Sequence, residues 1–200
     1  MKARPLISIL AALLAPACGV SPAEPPHEPL PVPFVVSDHY SPDGFFGDGE
    51  KRGALDLAKE CPARAPNAQG DCYTITYKPG IKRFAGIFWQ HPHNNWGFWP
   101  GHTIAPGATR ITFQAKGARG GEAATVGAGQ KDTKNPHNDA FRLEEITVAM
   151  TDRWTTHEVP FRGETYQGAS GVIGAFVLSM AAGDAEGPIV IYLDDIRWAP

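Results

Sequence analysis

The residues best suited to binding chemistry lie in one short stretch, 89–99, which combines three tryptophans with amide and imidazole side chains. Sugar rings present flat C–H faces and hydroxyl groups. A protein meets the faces with exposed aromatic rings, which also carry a polar edge, and the hydroxyls with amides or imidazoles. We therefore take as candidate ligand-binding residues Trp96, Trp99, Asn94, Asn95, His91 and Trp89.

The tryptophans of this stretch have different expected environments. Trp89 alternates with Ile87 in a predicted strand, so it can also be a core residue whose indole N–H finds an internal partner. Trp96 and Trp99 follow Pro92 and two asparagines, which indicates a loop. Exposed aromatic rings on loops are more often functional than those on strands.

His91 and His93 form a His-x-His pair that would share one face of a strand and could bind a metal ion. Pro92 lies between them, and no third ligand is nearby in the sequence. A polar loop is the simpler interpretation.

Catalytic motifs are missing from the sequence. The adjacent acids at 144–145 and 194–195 lie in predicted strands, so the two side chains of each pair point to opposite faces and cannot act together on one glycosidic bond. The glycine-rich stretch 117–129 lacks the Gly-Lys-Ser/Thr ending of a phosphate-binding loop. We predict that the protein is not an enzyme.

Short strands must position these residues. Segments rich in β-branched and aromatic residues alternate with glycine, proline and asparagine clusters, and the segment 55–60 could form one helical turn at most. This pattern predicts an all-β sandwich or barrel. The predicted strands are 34–36, 73–77, 85–90, 110–115, 123–126, 142–150, 155–160, 172–179 and 189–198.

Four stretches of the sequence carry distinctive motifs: 86–97 (Gly-Ile-Phe-Trp-Gln-His-Pro-His-Asn-Asn-Trp-Gly), 111–121 (Ile-Thr-Phe-Gln-Ala-Lys-Gly-Ala-Arg-Gly-Gly), 192–198 (Tyr-Leu-Asp-Asp-Ile-Arg-Trp) and 41–48 (Ser-Pro-Asp-Gly-Phe-Phe-Gly-Asp). These stretches resemble galactose-binding-like jelly-roll domains of bacterial surface proteins and family 11 and related carbohydrate-binding modules. They occur in the family's order from about residue 34 to the end.

The resemblance implies a jelly-roll β-sandwich of about eight to ten antiparallel strands and a glycan ligand. Modules of this type often hold Ca²⁺ between the opening segment and the last strand. The oxygen ligands that this ion prefers would come from Asp38, Asp48 and Asp194. The alternative is that these aspartates cap turns and strand ends.

The N-terminal residues predict export. Lys2 and Arg4 precede an apolar run too short to span a bilayer, as in a signal peptide over 1–17. Residues 14–18 resemble a bacterial lipobox, which implies a lipid on Cys18; cleavage by ordinary signal peptidase after Ala17 is the alternative. Residues 18–33 are rich in proline and predict an extended tether before a domain over 34–200.

Two further cysteines, Cys61 and Cys72, are then expected to form a disulfide, because exported proteins fold in an oxidising compartment. Gly19 rather than aspartate after Cys18 resembles the signal that sends enteric lipoproteins to the outer membrane. The expected location is therefore the cell envelope, on either face of the outer membrane.

Net charge and composition limit the partners. The formal net charge is −3 and no basic stripe is present, which argues against nucleic acid. We expect a glycan ligand and contact with the membrane through the lipid anchor only. A structural or protein-interaction lipoprotein and a glycan-active hydrolase or lyase are the alternatives.

Overall fold

The computed structural model describes residues 28–131 and 134–200, so the predicted signal peptide and Cys18 lie outside the described residues. Within these ranges no helix has the length and apolar composition needed to cross a bilayer. The described chain contains eleven strands: β1 (Phe34–Val35), β2 (Ser41–Gly47), β3 (Leu55–Ala58), β4 (Tyr73–Tyr77), β5 (Phe84–Gln90), β6 (Arg110–Gly117), β7 (Ala123–Gly127), β8 (Ile146–Ala149), β9 (Thr155–Pro160), β10 (Gly174–Ala181) and β11 (Ile189–Ala199).

The strands form two antiparallel sheets. One sheet has the order β3-β4-β11-β6-β9, with β1 added beside β11, and the other has the order β2-β5-β10-β7-β8. Most connections cross from one sheet to the other, which is the arrangement of a β-sandwich. The predicted all-β fold is confirmed.

The core lies between the sheets and is built by strict alternation along each strand. In β4, for example, Tyr73, Ile75 and Tyr77 are fully buried while the threonines between them are partly exposed. Trp198 on β11 donates its indole N–H to the carbonyl of Ala175 on β10, at 2.9 Å, and so links the two sheets.

Each predicted strand corresponds to a strand of the structure. The predicted strands 73–77 and 155–160 match β4 and β9 at both ends, and the others are shifted at one or both ends. The largest shift is at the predicted strand 142–150, because only Ile146–Ala149 pairs with β7. Two strands were missed. The segment 55–60, predicted as at most one helical turn, contains β3, and β2 contains proline, aspartate and two glycines that are typical of turns. β2 tolerates them because it is an edge strand with a bulge between Pro42 and Gly44.

The sandwich begins earlier than the predicted boundary at residue 34. The amide of Leu30 donates to the carbonyl of Thr103 at 2.8 Å, and the amide of Ala105 donates to the carbonyl of Leu30 at 2.9 Å. Leu30 and Val32 pack against the core. The end of the predicted tether 18–33 is thus part of the domain, since its two apolar side chains have a surface on which to pack.

The predicted disulfide is confirmed, because Cys61 and Cys72 are joined with a Cα–Cα distance of 5.8 Å. The loop that it closes covers β11. Arg64 from this loop donates to the fully buried carboxylate of Asp194 at 2.6 Å, and the amide of Ala65 donates to the same group at 3.1 Å. The loop therefore supplies the partners of a charge that the fold removes from water.

Candidate functional site

An open groove of about 650 Å³ lies on the outer face of the five-stranded sheet. Its floor is a cross-strand row in which Phe46 pairs with Gly86, Gly86 with Ser179, Ser179 with Thr125, and Thr125 with Thr147. These residues share the face opposite to the core because side chains alternate along a strand.

One wall of the groove is aromatic and consists of Phe46, Phe84, Phe88 and Trp96. The ring of Phe46 lies 5.6 Å from that of Phe88, and the ring of Phe88 lies 6.0 Å from that of Trp96. Phe84 and Phe88 are four residues apart on β5, or about 13 Å along the strand. The wall is therefore an apolar strip that runs along β5.

Gly86 allows this strip to lie flat on the sheet. A Cβ atom at Gly86 would lie 2.1 Å from Cζ of Phe46, which is much shorter than a van der Waals contact. Any larger residue at position 86 would therefore clash with the Phe46 ring. The Phe46 ring thus covers the backbone of β5 because position 86 has no side chain.

The opposite wall is polar. Lys131, Asn135, Arg142 and Glu145 line it, and Arg142 donates to Glu145 at 2.7 Å. The hydroxyls of Thr125 and Thr147 lie 3.1 Å apart on the floor between the two walls. The groove thus combines apolar rings on one side with hydrogen-bonding and charged groups on the other.

Two loops close one end of the groove and are bonded to each other. The first is 91–99, and the described residues of the second are 129–131 and 134–139. The side-chain amide of Asn135 donates to the carbonyl of Trp96 at 2.7 Å, and the amide of His137 donates to the carbonyl of Gly97 at 3.0 Å. Buried Gln130 donates to the carbonyl of Asn95 at 3.0 Å. These bonds hold Trp96 in place at the groove.

Asp139 fixes the second loop to β10. Its buried carboxylate accepts hydrogen bonds from the amides of Gln130 at 2.6 Å, Ile173 at 2.6 Å and Gly174 at 3.1 Å. Burial raises the pKa of Asp139 to about 6, although the three amides act in the opposite direction. One carboxylate therefore fixes to β10 the loop that carries Lys131 and Asn135.

The candidate ligand-binding residues from the sequence occupy different environments. Trp96 lines the groove, and its indole N–H donates to the side chain of exposed Asn94 at 3.2 Å. Asn95 is buried, and both ends of its side-chain amide bond to loop backbone. Trp89 is fully buried between the sheets and is a core residue. Of these four, Trp96 lines the groove.

His91 and Trp99 do not line the groove. His91 is half-buried and stacks on His102 with 3.5 Å between ring centroids. Trp99 is 65% exposed. The tertiary structure thus separates Trp99 from Trp96, although the two are three residues apart.

The His-x-His pair is also separated, because Nδ1 of His93 contacts the carboxylate of Asp43 on β2 while His91 stacks on His102. In residues 28–131 and 134–200, no three histidine, cysteine or acidic residues form a group that could hold a metal ion.

The three aspartates of the predicted calcium site do not fit a shared ion. The carboxylate of Asp48 accepts from the hydroxyl of Tyr77 at 2.8 Å and from two backbone amides, while Asp194 is bonded to Arg64. Asp48 thus lies near Tyr77 at the end of β4, whereas the residue before Asp194 pairs with Tyr73 at the start of β4. Tyr73 and Tyr77 are four residues, or about 13 Å, apart along this strand. Asp38 is exposed in a separate 3₁₀ turn. Calcium binding stays a prediction without a site formed by these residues.

Most residues of the groove are not among the candidates predicted from the sequence. The aromatic wall on β5 has a period of two, with Phe84, Gly86 and Phe88 facing out and Ile87 and Trp89 facing in. This exposed period-two pattern could have identified Phe84 and Phe88. Nothing local marks Phe46, Arg142 or Glu145, which reach the groove through strand pairing or loop position.

No family model matches the chain, and no curated protein matches it. Several solved structures, however, are similar to the chain in fold. The family 30 carbohydrate-binding module of a Clostridium thermocellum cellulosomal cellulase is 15% identical over 80% of this chain and 92% of its own, with a TM-score of 0.51. Another family 30 carbohydrate-binding module is 13% identical over 83% of this chain and 97% of its own, with a TM-score of 0.50. A family 11 carbohydrate-binding module of a C. thermocellum cellulosomal cellulase is 14% identical over 84% of this chain and 94% of its own, with a TM-score of 0.47. The chain thus has the β-sandwich fold found in carbohydrate-binding modules.

Proposed function

We propose that this protein binds a glycan in the groove on its five-stranded sheet and does not change it chemically. The observation that supports this proposal is the pairing of an apolar aromatic wall with a polar wall across one open groove. A sugar ring has the same division, with C–H groups on its faces and hydroxyls on its edges, so it can satisfy both walls at once.

The shape of the groove favours a segment of a polysaccharide over a single sugar. The aromatic strip extends for about 13 Å between Phe84 and Phe88 and continues to Trp96 beyond the end of β5. Several rings can therefore support successive sugar units along one chain. The family 30 carbohydrate-binding module that shares this fold belongs to a cellulosomal cellulase, which agrees with such a ligand.

The acids in the groove do not favour hydrolysis. Among the described residues that line it, Glu145 is the one carboxylate, and it is paired with Arg142 at 2.7 Å. Glycoside hydrolysis generally uses two carboxyl groups on either side of the scissile bond. A binding role needs only the walls that the groove already has.

A polysaccharide array followed by titration calorimetry tests this function. Replacement of Phe88 or Trp96 by alanine should weaken binding of the identified glycan by about ten- to a hundredfold, since one stacking contact is worth roughly 1–3 kcal/mol by analogy with base stacking on aromatic rings. The free energy of unfolding should change little for Trp96, because its ring is partly exposed.

Trp99→Ala is the matched control for Trp96→Ala, since Trp99 is exposed and does not line the groove. It should retain full affinity. Loss of binding in Trp99→Ala with full binding in both groove variants would contradict this assignment.

We also propose that Cys18 carries a lipid. The support is the sequence of residues 1–18, since this part of the chain lies outside the described residues. Growth with a palmitate analogue should label the protein, and Cys18→Ala should abolish the label and release the protein from membranes. Equal labelling of the Cys18→Ala variant would refute the anchor.

A further inference from the structure

Two adjacent aromatic side chains protrude from the sandwich outside the groove. Phe98 is 57% exposed and Trp99 is 65% exposed. The two other large apolar side chains that are exposed in the described chain are Phe84, which belongs to the groove, and Ile81, between β4 and β5. We refer to Phe98 and Trp99 as the aromatic tip.

The aromatic tip is held rigidly. The side chain of Asn95 donates to the carbonyls of His91 at 3.0 Å and Trp99 at 2.8 Å, and it accepts from the amides of Gly97 and Trp99, each at 3.1 Å. One buried side chain therefore fixes the backbone on both sides of the tip. Contact with another surface would not require the loop to become ordered, so little of the contact energy is lost.

The tip lies where the N-terminal segment joins the domain. Leu30 bonds to the backbone of Thr103 and Ala105, and Thr103 is only four residues, at most about 14 Å, from Trp99. The twelve residues from Cys18 to Leu30 can extend over at most about 43 Å. A lipid on Cys18 would therefore keep this end of the sandwich within reach of the bilayer.

A lysine lies near the loop that carries the tip. Exposed Lys134 precedes Asn135, whose side chain bonds to the carbonyl of Trp96 in this loop. Tryptophan favours the interface between lipid headgroups and acyl chains, and a lysine beside it is attracted to anionic headgroups.

We propose that Phe98 and Trp99 insert into the interface of the membrane that holds the lipid on Cys18. This inference rests on the proposed anchor and is independent of glycan binding. Because a short tether keeps the tip at a high effective concentration near the bilayer, two aromatic side chains suffice to orient the domain. The groove begins at Trp96 in the same loop but runs away from the tip along β5, so most of it stays open to solvent.

Quenching of tryptophan fluorescence by brominated lipids tests the proposal on the full lipidated protein. The protein is reconstituted in vesicles of phosphatidylethanolamine and phosphatidylglycerol, with or without bromine on the acyl chains, and its attachment is checked by flotation. Bromine quenches only those tryptophans that contact the acyl region. The wild-type protein should be quenched, and Trp99→Phe should lose most of the quenching while it still floats.

Trp154→Phe is the matched control. Trp154 packs on the six-stranded sheet, where its indole N–H donates to the carbonyl of Ala63, so this variant should be quenched as strongly as the wild type. Equal quenching of Trp99→Phe and the wild type, with both floating, would overturn the proposal while leaving the anchor intact. Absence of flotation in the wild type would overturn both. Fluorescence of Trp99 that responds to a glycan and not to brominated lipid would assign the tip to the sugar instead.

Discussion

Replacement of Trp89 by alanine is expected to lower the free energy of unfolding by roughly 3–5 kcal/mol, the usual cost of removing a large aromatic side chain from a core. The Trp89 ring is fully buried, and its centroid lies 5.3 Å from that of Tyr73 and 5.2 Å from that of Phe176. The cavity left by the substitution would lie between the two sheets, where strand pairing prevents collapse. Urea denaturation followed by circular dichroism measures the effect.

The comparison with Trp96→Ala makes this result informative about function. Trp96 lies on the outer face and is partly exposed. Trp96→Ala should therefore lower the free energy of unfolding much less than Trp89→Ala does, and it should weaken glycan binding more. The folded fraction of Trp89→Ala should bind the glycan normally. A stable Trp89→Ala variant with weakened glycan binding would reverse the assignment of the two tryptophans.

Truncation of Arg64 to alanine is the second substitution with a large expected effect, at about 3 kcal/mol, the lower end of the range for breaking a buried ion pair. It leaves the carboxylate of Asp194, which has no exposed surface, without its guanidinium partner. The amides of Ala65 and Asp195 still donate to this carboxylate, and Arg64 itself is half-exposed, which limits the loss. Thermal or urea denaturation with the disulfide intact measures it.

Lys78→Ala serves as the control for Arg64→Ala. It removes an ion pair of similar length, 2.9 Å to Asp56, in which both side chains are more than half exposed. Exposed pairs of this kind contribute at most about 1 kcal/mol. Equal losses in the two variants would show that burial of Asp194 gives the pair with Arg64 no special importance.

Much of the fold could be predicted because its signals are local. Alternation of buried and exposed residues in β4 and β5, and glycine or proline between strands, identified nine of the eleven strands. β2 and β3 were missed because edge strands obey weaker rules. In β2 the pattern is broken by Pro42 and Gly44, which a central strand could not accommodate.

The candidate site was less predictable, and Trp96 and Asn95 show why. Both lie in one loop with similar local sequence, yet Trp96 faces the groove while the side chain of Asn95 bonds to backbone inside the loop. The positive φ of 52° at Asn94 and the hydrogen bonds of Asn95 set these directions. Loop residues have no period from which a facing direction could be derived.

The sequence by itself determined the all-β class, the positions of most strands along the chain and the disulfide partners, since alternation and cysteine count need no knowledge of distant contacts. Only the tertiary structure decided which aromatic side chains share a surface. Phe46 reaches the ring of Phe88 through the pairing of β2 with β5, and Arg142 and Glu145 reach the same groove from the segment before β8. Such neighbours are set by strand order and register, which arise from packing of the whole core and leave no trace in the spacing of the residues themselves.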